Sequence, residues 1–101
     1  MSQVAVAVKL TIKEGQRDAM TSAVMKGVET AKTEAGTLTY IFHHDLANEN
    51  VVWFYELYAD QTALDAHMSS ESFRVFSKSL VPFVEGAPEF TFLTAVGGKG
   101  L

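Results

Sequence analysis

The sequence contains no cysteine, few basic residues and no long apolar run. Without cysteine, disulfides, a thiolate nucleophile and cysteine-based metal sites are excluded. Eight Lys and Arg residues stand against twelve Asp and Glu residues, and they form no cluster, which argues against nucleic-acid binding. No apolar run approaches the length of a membrane span. The opening segment, MSQVAVAVKL, lacks the basic region of a signal peptide, so we expect a cytoplasmic protein with no membrane partner.

Apolar residues are abundant, at 48% of the 101 positions. A domain of this size buries roughly 60–65% of its unfolded surface, so its core is modest. The apolar content is therefore high for a small monomer and predicts that a partner covers one surface. We expect a single domain over residues 1–101, with a core at about 4–96 and a flexible tail at 97–101.

Periodicity predicts the order of secondary-structure elements. Alternation and β-branched or aromatic content predict four strands, at residues 4–12, 37–45, 51–58 and 89–96. Helical spacing predicts a helix at about 17–32 and a second one capped by Asp60, with Ser70 capping a continuation. The resulting β-α-β-β-α-β order is the ferredoxin-like α+β arrangement, with two helices on one face of a four-stranded antiparallel sheet.

The turn between the second and third strands decides which side chains share a face of the sheet. If Asp45 pairs with Val51, one face carries Leu38, Tyr40, Phe42, His44, Val52, Phe54, Glu56 and Tyr58. The opposite face then carries Thr39, Ile41, His43, Trp53, Tyr55 and Leu57. Both faces are substantially apolar, so we expect a homodimer whose sheets pack face to face. A slip of one residue would move Glu56 to that interface.

Four motifs resemble the antibiotic biosynthesis monooxygenase superfamily. They are EAGTLTY (34–40), YELYAD (55–60), ALDAH (63–67) and SESF (70–73). The resemblance covers about residues 4–96 and implies a dimeric α+β barrel. That superfamily includes cofactor-free quinol and anthrone monooxygenases, haem-degrading enzymes and an isomerase of a phosphorylated autoinducer, so the fold leaves the activity open.

His67 and Glu56 are the candidate catalytic residues. His67 lies on the buried stripe of the second helix and matches the histidine that the resemblance places there. Its imidazole could act as a general base near neutral pH, or it could be a core histidine bonded to a backbone carbonyl. Glu56 lies in an aromatic strand, where burial without a partner would raise its pKa. It could orient His67 or bind a substrate hydroxyl, or it could form a structural ion pair or backbone hydrogen bond.

We predict no metal, flavin or haem. His43 and His44 are adjacent on a strand and therefore point to opposite faces, and no third ligand is identifiable. The haem-degrading pattern also needs a first-strand asparagine, and residues 1–12 contain none. The terminal GGKGL follows no strand-to-helix turn, so it is not a phosphate loop.

The favoured function is a cofactor-independent monooxygenase acting on a quinol, an anthrone or a similar aromatic molecule. The expected substrate-binding residues are Tyr40, Phe42, His44, Phe54, Tyr58, Phe73 and Phe76. Two alternatives stay open: an isomerase or lyase of a small carbonyl compound, or a non-catalytic ligand-binding module. An aromatic pocket would favour the quinol, a basic pocket a phosphorylated ligand, and a filled interior no ligand.

Overall fold

A computed structural model describes residues 2–101, in which four strands form one antiparallel sheet of order β2-β3-β1-β4. The strands are β1 (Val4–Thr11), β2 (Thr37–His44), β3 (Val51–Tyr58) and β4 (Glu89–Thr94). β1 and β3 occupy the centre, as their β-branched residues suit strands with a neighbour on each side. The predicted ferredoxin-like α+β fold is confirmed.

The helices are α1 (Arg17–Ala31), α2 (Gln61–Met68) and α3 (Glu71–Leu80), followed by a 3₁₀ turn (Val81–Phe83). The helical region predicted after Asp60 is thus divided in two. Asp60 accepts a hydrogen bond from the Ala63 amide, and Ser70 accepts one from the Phe73 amide, so both predicted caps are present. Because Ser70 starts a new helix, α3 can take a different direction from α2.

The core lies between the helices and one face of the sheet. Alternate residues of β1, including Val6, Val8 and Leu10, pack with Met20 and Val24 of α1. All five are at most 5% exposed. Burying such side chains contributes roughly 1.5–3 kcal/mol each, so this layer holds the site described below in place.

The register of the hairpin follows the prediction over most of its length. The Asp45 amide donates to the Val51 carbonyl at 3.1 Å, and Tyr40 lies opposite Glu56. A β-bulge between Thr37 and Thr39 then shifts the ladder. The expectation that Leu38 shares the face of Glu56 in the regular ladder is wrong, because the bulge leaves Leu38 outside the pairing, with 48% exposure.

The opposite face of the sheet carries exposed apolar side chains. Ile41, Tyr55 and Leu93 are 39–49% exposed, and Trp53 donates from Nε1 to Asp45 at 2.9 Å. Exposure of this extent motivates the predicted dimer, which stays a prediction. Within residues 2–101, no helix combines the length and apolar character needed to cross a membrane.

Candidate functional site

Glu56 lies at the centre of the sheet, on the face that the helices cover. Its neighbours across the ladders are Val6 and Tyr40, and it is only 7% exposed. Tyr58 is two residues further along β3, hence on the same face. The fully buried Tyr58 hydroxyl donates to Glu56 Oε1 at 2.6 Å, so one oxygen of the carboxyl has a short hydrogen bond.

Burial raises the pKa of the Glu56 carboxyl, and the Tyr58 hydrogen bond and the charge of a protonated His67 oppose that rise in part. Burial also raises the pKa of both Tyr40 and Tyr58. Both phenols therefore stay protonated at neutral pH, and the Tyr58 hydroxyl is the donor to Glu56. A carboxylate with a raised pKa is a stronger base than an exposed one, so Glu56 is suited to accept a proton.

His67 is paired with Glu34 rather than with Glu56. Its Nδ1 lies 2.8 Å from Glu34 Oε1, and the Thr37 hydroxyl donates to the same oxygen at 2.9 Å. Gly36 permits this approach, because a Cβ there would lie 2.6 Å from the Cβ of Ala63 on α2. Sequence reasoning assigned no role to Glu34 or Thr37, although both belong to the EAGTLTY motif.

The other ring nitrogen of His67 is buried and has no hydrogen-bond partner among residues 2–101. Three aromatic rings surround the imidazole, with centroid distances of 5.5 Å to Tyr40, 5.3 Å to Tyr58 and 5.1 Å to Phe73. An unsatisfied buried polar atom costs about 1–3 kcal/mol. A buried polar atom without a partner is rare in native proteins and calls for an explanation. A hydrogen bond from a ligand group would be one explanation for Nε2 of His67.

Two cavities flank this cluster. The central cavity, between the sheet and α3, has a volume of about 200 Å³ and is lined mainly by apolar side chains, with Glu56 in its wall. The helix groove, between α1 and α3, has a volume of about 530 Å³ and includes Lys26, Glu34, His67 and Glu71. The predicted catalytic residues therefore border different cavities.

Three aromatic side chains, Tyr40, Phe73 and Phe76, line both cavities and form a wall between them. Phe76 packs directly on α1, where a Cβ at Gly27 would lie 2.3 Å from its ring. The absence of a side chain at Gly27 thus determines where this part of the wall stands. His67 and Glu56 could act on one ligand only if a ring of the wall turned aside.

The other expected substrate-binding residues are distributed unevenly. Phe54 lines the central cavity with the three wall residues, whereas Tyr58 lines neither cavity and donates to Glu56. Phe42 and His44 line neither cavity. The Phe42 ring packs against Phe54 at a tilt of 52°, with the centroids 5.1 Å apart, and Nε2 of the exposed His44 lies 3.0 Å from Thr21 Oγ1. No group of three His, Asp or Glu side chains within residues 2–101 is placed to hold a metal ion.

The chain is a ferredoxin-like α+β protein whose sheet borders a small, mainly apolar cavity with one buried carboxyl in its wall. Residues 3–79 match the antibiotic biosynthesis monooxygenase family. Because this match spans most of the sequence, the chain belongs to the antibiotic biosynthesis monooxygenase family.

Solved structures carry the same fold. A provisionally named antibiotic biosynthesis monooxygenase from Caulobacter crescentus is 25% identical, with a TM-score of 0.90 over 95% of this chain and 92% of that chain. One from Chloroflexus aurantiacus, named in the same way, is also 25% identical, with a TM-score of 0.81 over 98% of each chain. An uncharacterized Synechocystis protein is 25% identical over 72% of this chain, which spans about half the length of that relative.

Proposed function

We propose that the protein is a cofactor-independent monooxygenase for a flat phenolic substrate, such as a quinol or an anthrone. The observation that carries this proposal is Glu56, a buried carboxyl with a raised pKa in the wall of a cavity lined mainly by aromatic and aliphatic side chains. Among the described residues that line the central cavity there is no Lys or Arg. The lining therefore gives little support to a phosphorylated ligand.

The size of the central cavity limits the substrate. Ligand pockets for drug-sized molecules measure about 300–1,000 Å³, whereas this cavity measures about 200 Å³. A phenol with one or two rings fits this space, and a three-ring anthrone would need the aromatic wall to move. Phe54, Phe73 and Phe76 provide ring faces and edges on which a flat molecule can stack.

The chemistry needs a base, an orienting pocket and dioxygen. Glu56 would take a proton from the substrate, and the resulting electron-rich anion would itself reduce dioxygen. For a naphthohydroquinone the balance is one hydroquinone and one dioxygen giving one hydroxynaphthoquinone and one water. One oxygen atom enters the ring, the other leaves as water, and all four electrons come from the substrate. Excluding water protects the anion from reprotonation by solvent before it meets dioxygen.

His67 would assist from the far side of the aromatic wall. A positive charge on His67 lowers the pKa of Glu56, so proton transfer to the imidazole would change how strongly Glu56 holds its own proton.

We also propose that the working form is a homodimer, joined through the face that exposes Ile41, Tyr55 and Leu93. Covering that face would remove apolar surface from water and stabilise the sheet.

The test is oxygen uptake with naphthohydroquinone and anthrone. Loss of a general base typically lowers turnover by about 10²–10⁴-fold, so Glu56→Gln should reduce kcat within that range, and His67→Ala should also reduce it. The exposed Glu29→Gln is the matched carboxyl control. Uncatalysed oxidation is subtracted. Wild-type protein that consumes no oxygen yet binds these compounds in equilibrium dialysis would be a ligand-binding module, and the proposed activity would be refuted.

A further inference from the structure

The pair formed by Glu34 and His67 has a consequence for the tautomer of the histidine. We infer that Glu34, held by Thr37, is a positioning residue that keeps hydrogen on His67 Nδ1 and leaves Nε2 as a bare acceptor for a ligand hydroxyl. The inference rests on the proposed function for the phenolic nature of that ligand. The inference adds Glu34 and Thr37 to the site, two residues that do not line the central cavity.

The direction of the hydrogen bond follows from the donors and acceptors present. An ionised carboxylate carries no hydrogen, so His67 Nδ1, 2.8 Å from Glu34 Oε1, has to supply it. The Thr37 hydroxyl is a second donor to that same oxygen. Two donors thus converge on one carboxyl oxygen, and this geometry favours the imidazole tautomer with hydrogen on Nδ1.

The geometry also fixes where the free acceptor lies. With Nδ1 directed at Glu34, Nε2 is on the opposite side of the ring, buried and unpaired among residues 2–101. The nearby Tyr58 hydroxyl already donates to Glu56. Tyr40 and Phe73, which lie against the imidazole, also line the central cavity. These two rings therefore lie between the imidazole and the central cavity, and one of them has to turn before a ligand hydroxyl in that cavity reaches Nε2.

The backbone holds Glu34 in reach of α2. The Ala59 amide donates to the Gly36 carbonyl at 3.0 Å, which joins the α1–β2 connection to the end of β3. Glu34 itself is 24% exposed at the helix groove, whereas His67 is only 7% exposed. An orienting carboxylate behind a base is the arrangement that activated catalytic groups use.

Nitrogen NMR of the histidine ring tests the inference without turnover. In wild-type protein, His67 should show a protonated Nδ1 and an unprotonated Nε2, and added naphthol should shift the Nε2 signal. Glu34→Ala should give a mixture of tautomers and at least about 10-fold weaker naphthol binding, by analogy with partners that orient ligating histidines. Glu34→Gln, whose amide oxygen can still accept from Nδ1, should largely keep the wild-type tautomer and the wild-type naphthol affinity. Glu29→Gln, on the exposed face of α1, should match the wild type.

Three results would overturn the inference. They are hydrogen on Nε2 in the wild type, no Nε2 response to bound naphthol, and unchanged naphthol affinity in Glu34→Ala. A merely structural role of Glu34 predicts the last of these together with a lower melting temperature. If Glu34→Ala does not fold, Thr37→Val provides a second test. This variant keeps the Glu34 carboxylate but removes the second donor to it, so it should shift the tautomer equilibrium in the same direction by a smaller amount. Failure of oxygen uptake alone would refute the proposed activity and leave this tautomer assignment standing.

Discussion

Tyr58→Phe is the substitution whose effect follows most closely from the geometry. It deletes the hydroxyl that donates to Glu56 at 2.6 Å and keeps a ring that is 0% exposed. Hydrogen bonds to charged groups contribute about 1.5–3 kcal/mol, and neutral ones about 0.5–1.5 kcal/mol. We therefore expect a loss of about 1.5–3 kcal/mol in unfolding free energy where Glu56 is ionised, and about 0.5–1.5 kcal/mol where it is protonated.

The sign of the pH dependence follows from linkage. Burial gives folded Glu56 a pKa above its unfolded value, so its contribution is most favourable below the unfolded pKa and is lost as pH rises through the folded pKa. The Tyr58 hydrogen bond lowers the pKa of Glu56, so its removal raises that pKa further. The deficit of Tyr58→Phe should therefore grow as pH rises.

Urea unfolding at fixed protein concentration measures this deficit, with Trp53 fluorescence as the signal. A series from about pH 4 to about pH 9 spans the range in which a carboxyl with a raised pKa titrates. Tyr55→Phe is the matched control, because Tyr55 lies on the same strand but on the opposite, partly exposed face. A deficit that is constant with pH, or equal to that of Tyr55→Phe, would refute the buried Tyr58–Glu56 contact.

Three further results are expected. Tyr55→Lys places a charge in the proposed interface and should reduce the mass seen by light scattering to that of one 11.0 kDa chain; a wild type already at that mass would contradict the dimer. Gly27→Ala should displace the Phe76 ring and change naphthol affinity, while Met25→Ala on the exposed side of α1 should not; equal affinities in all three proteins would contradict the fixed wall. Dialysis against a chelator should leave oxygen uptake unchanged, and loss of activity restored by one metal ion would contradict the expectation of no cofactor.

Local signals in the sequence account for most of the fold. Alternation in β1, the caps at Asp60 and Ser70, and the pairing of Asp45 with Val51 each depend on residues close in sequence. These features are dictated by side-chain periodicity and by short-range hydrogen bonds, which a sequence displays directly. The bulge that excludes Leu38 was missed because its only effect is a one-residue shift in pairing at the end of a strand.

The site was harder to predict because its contacts join distant parts of the chain. The burial of His67 was expected from helix periodicity, and His67 is buried. The face that Glu56 occupies depended on the hairpin register, and the observed pairing of Tyr40 with Glu56 places it on the face that the helices cover. The partner of His67, however, lies 33 residues away in a connection with no periodic pattern. The division into two cavities depends on Phe76 resting on Gly27, a contact between helices that neither helix signals by itself.

Isotope labelling tests the central claim most directly. Wild-type protein, treated with chelator and given no cofactor, would turn over naphthohydroquinone under dioxygen labelled with the heavy oxygen isotope, and mass spectrometry would follow the product. The proposed chemistry predicts hydroxynaphthoquinone with one labelled oxygen in the new hydroxyl, formed faster than without protein and much more slowly by Glu56→Gln. Unlabelled product, plain naphthoquinone with hydrogen peroxide, or equal rates with and without protein would contradict it.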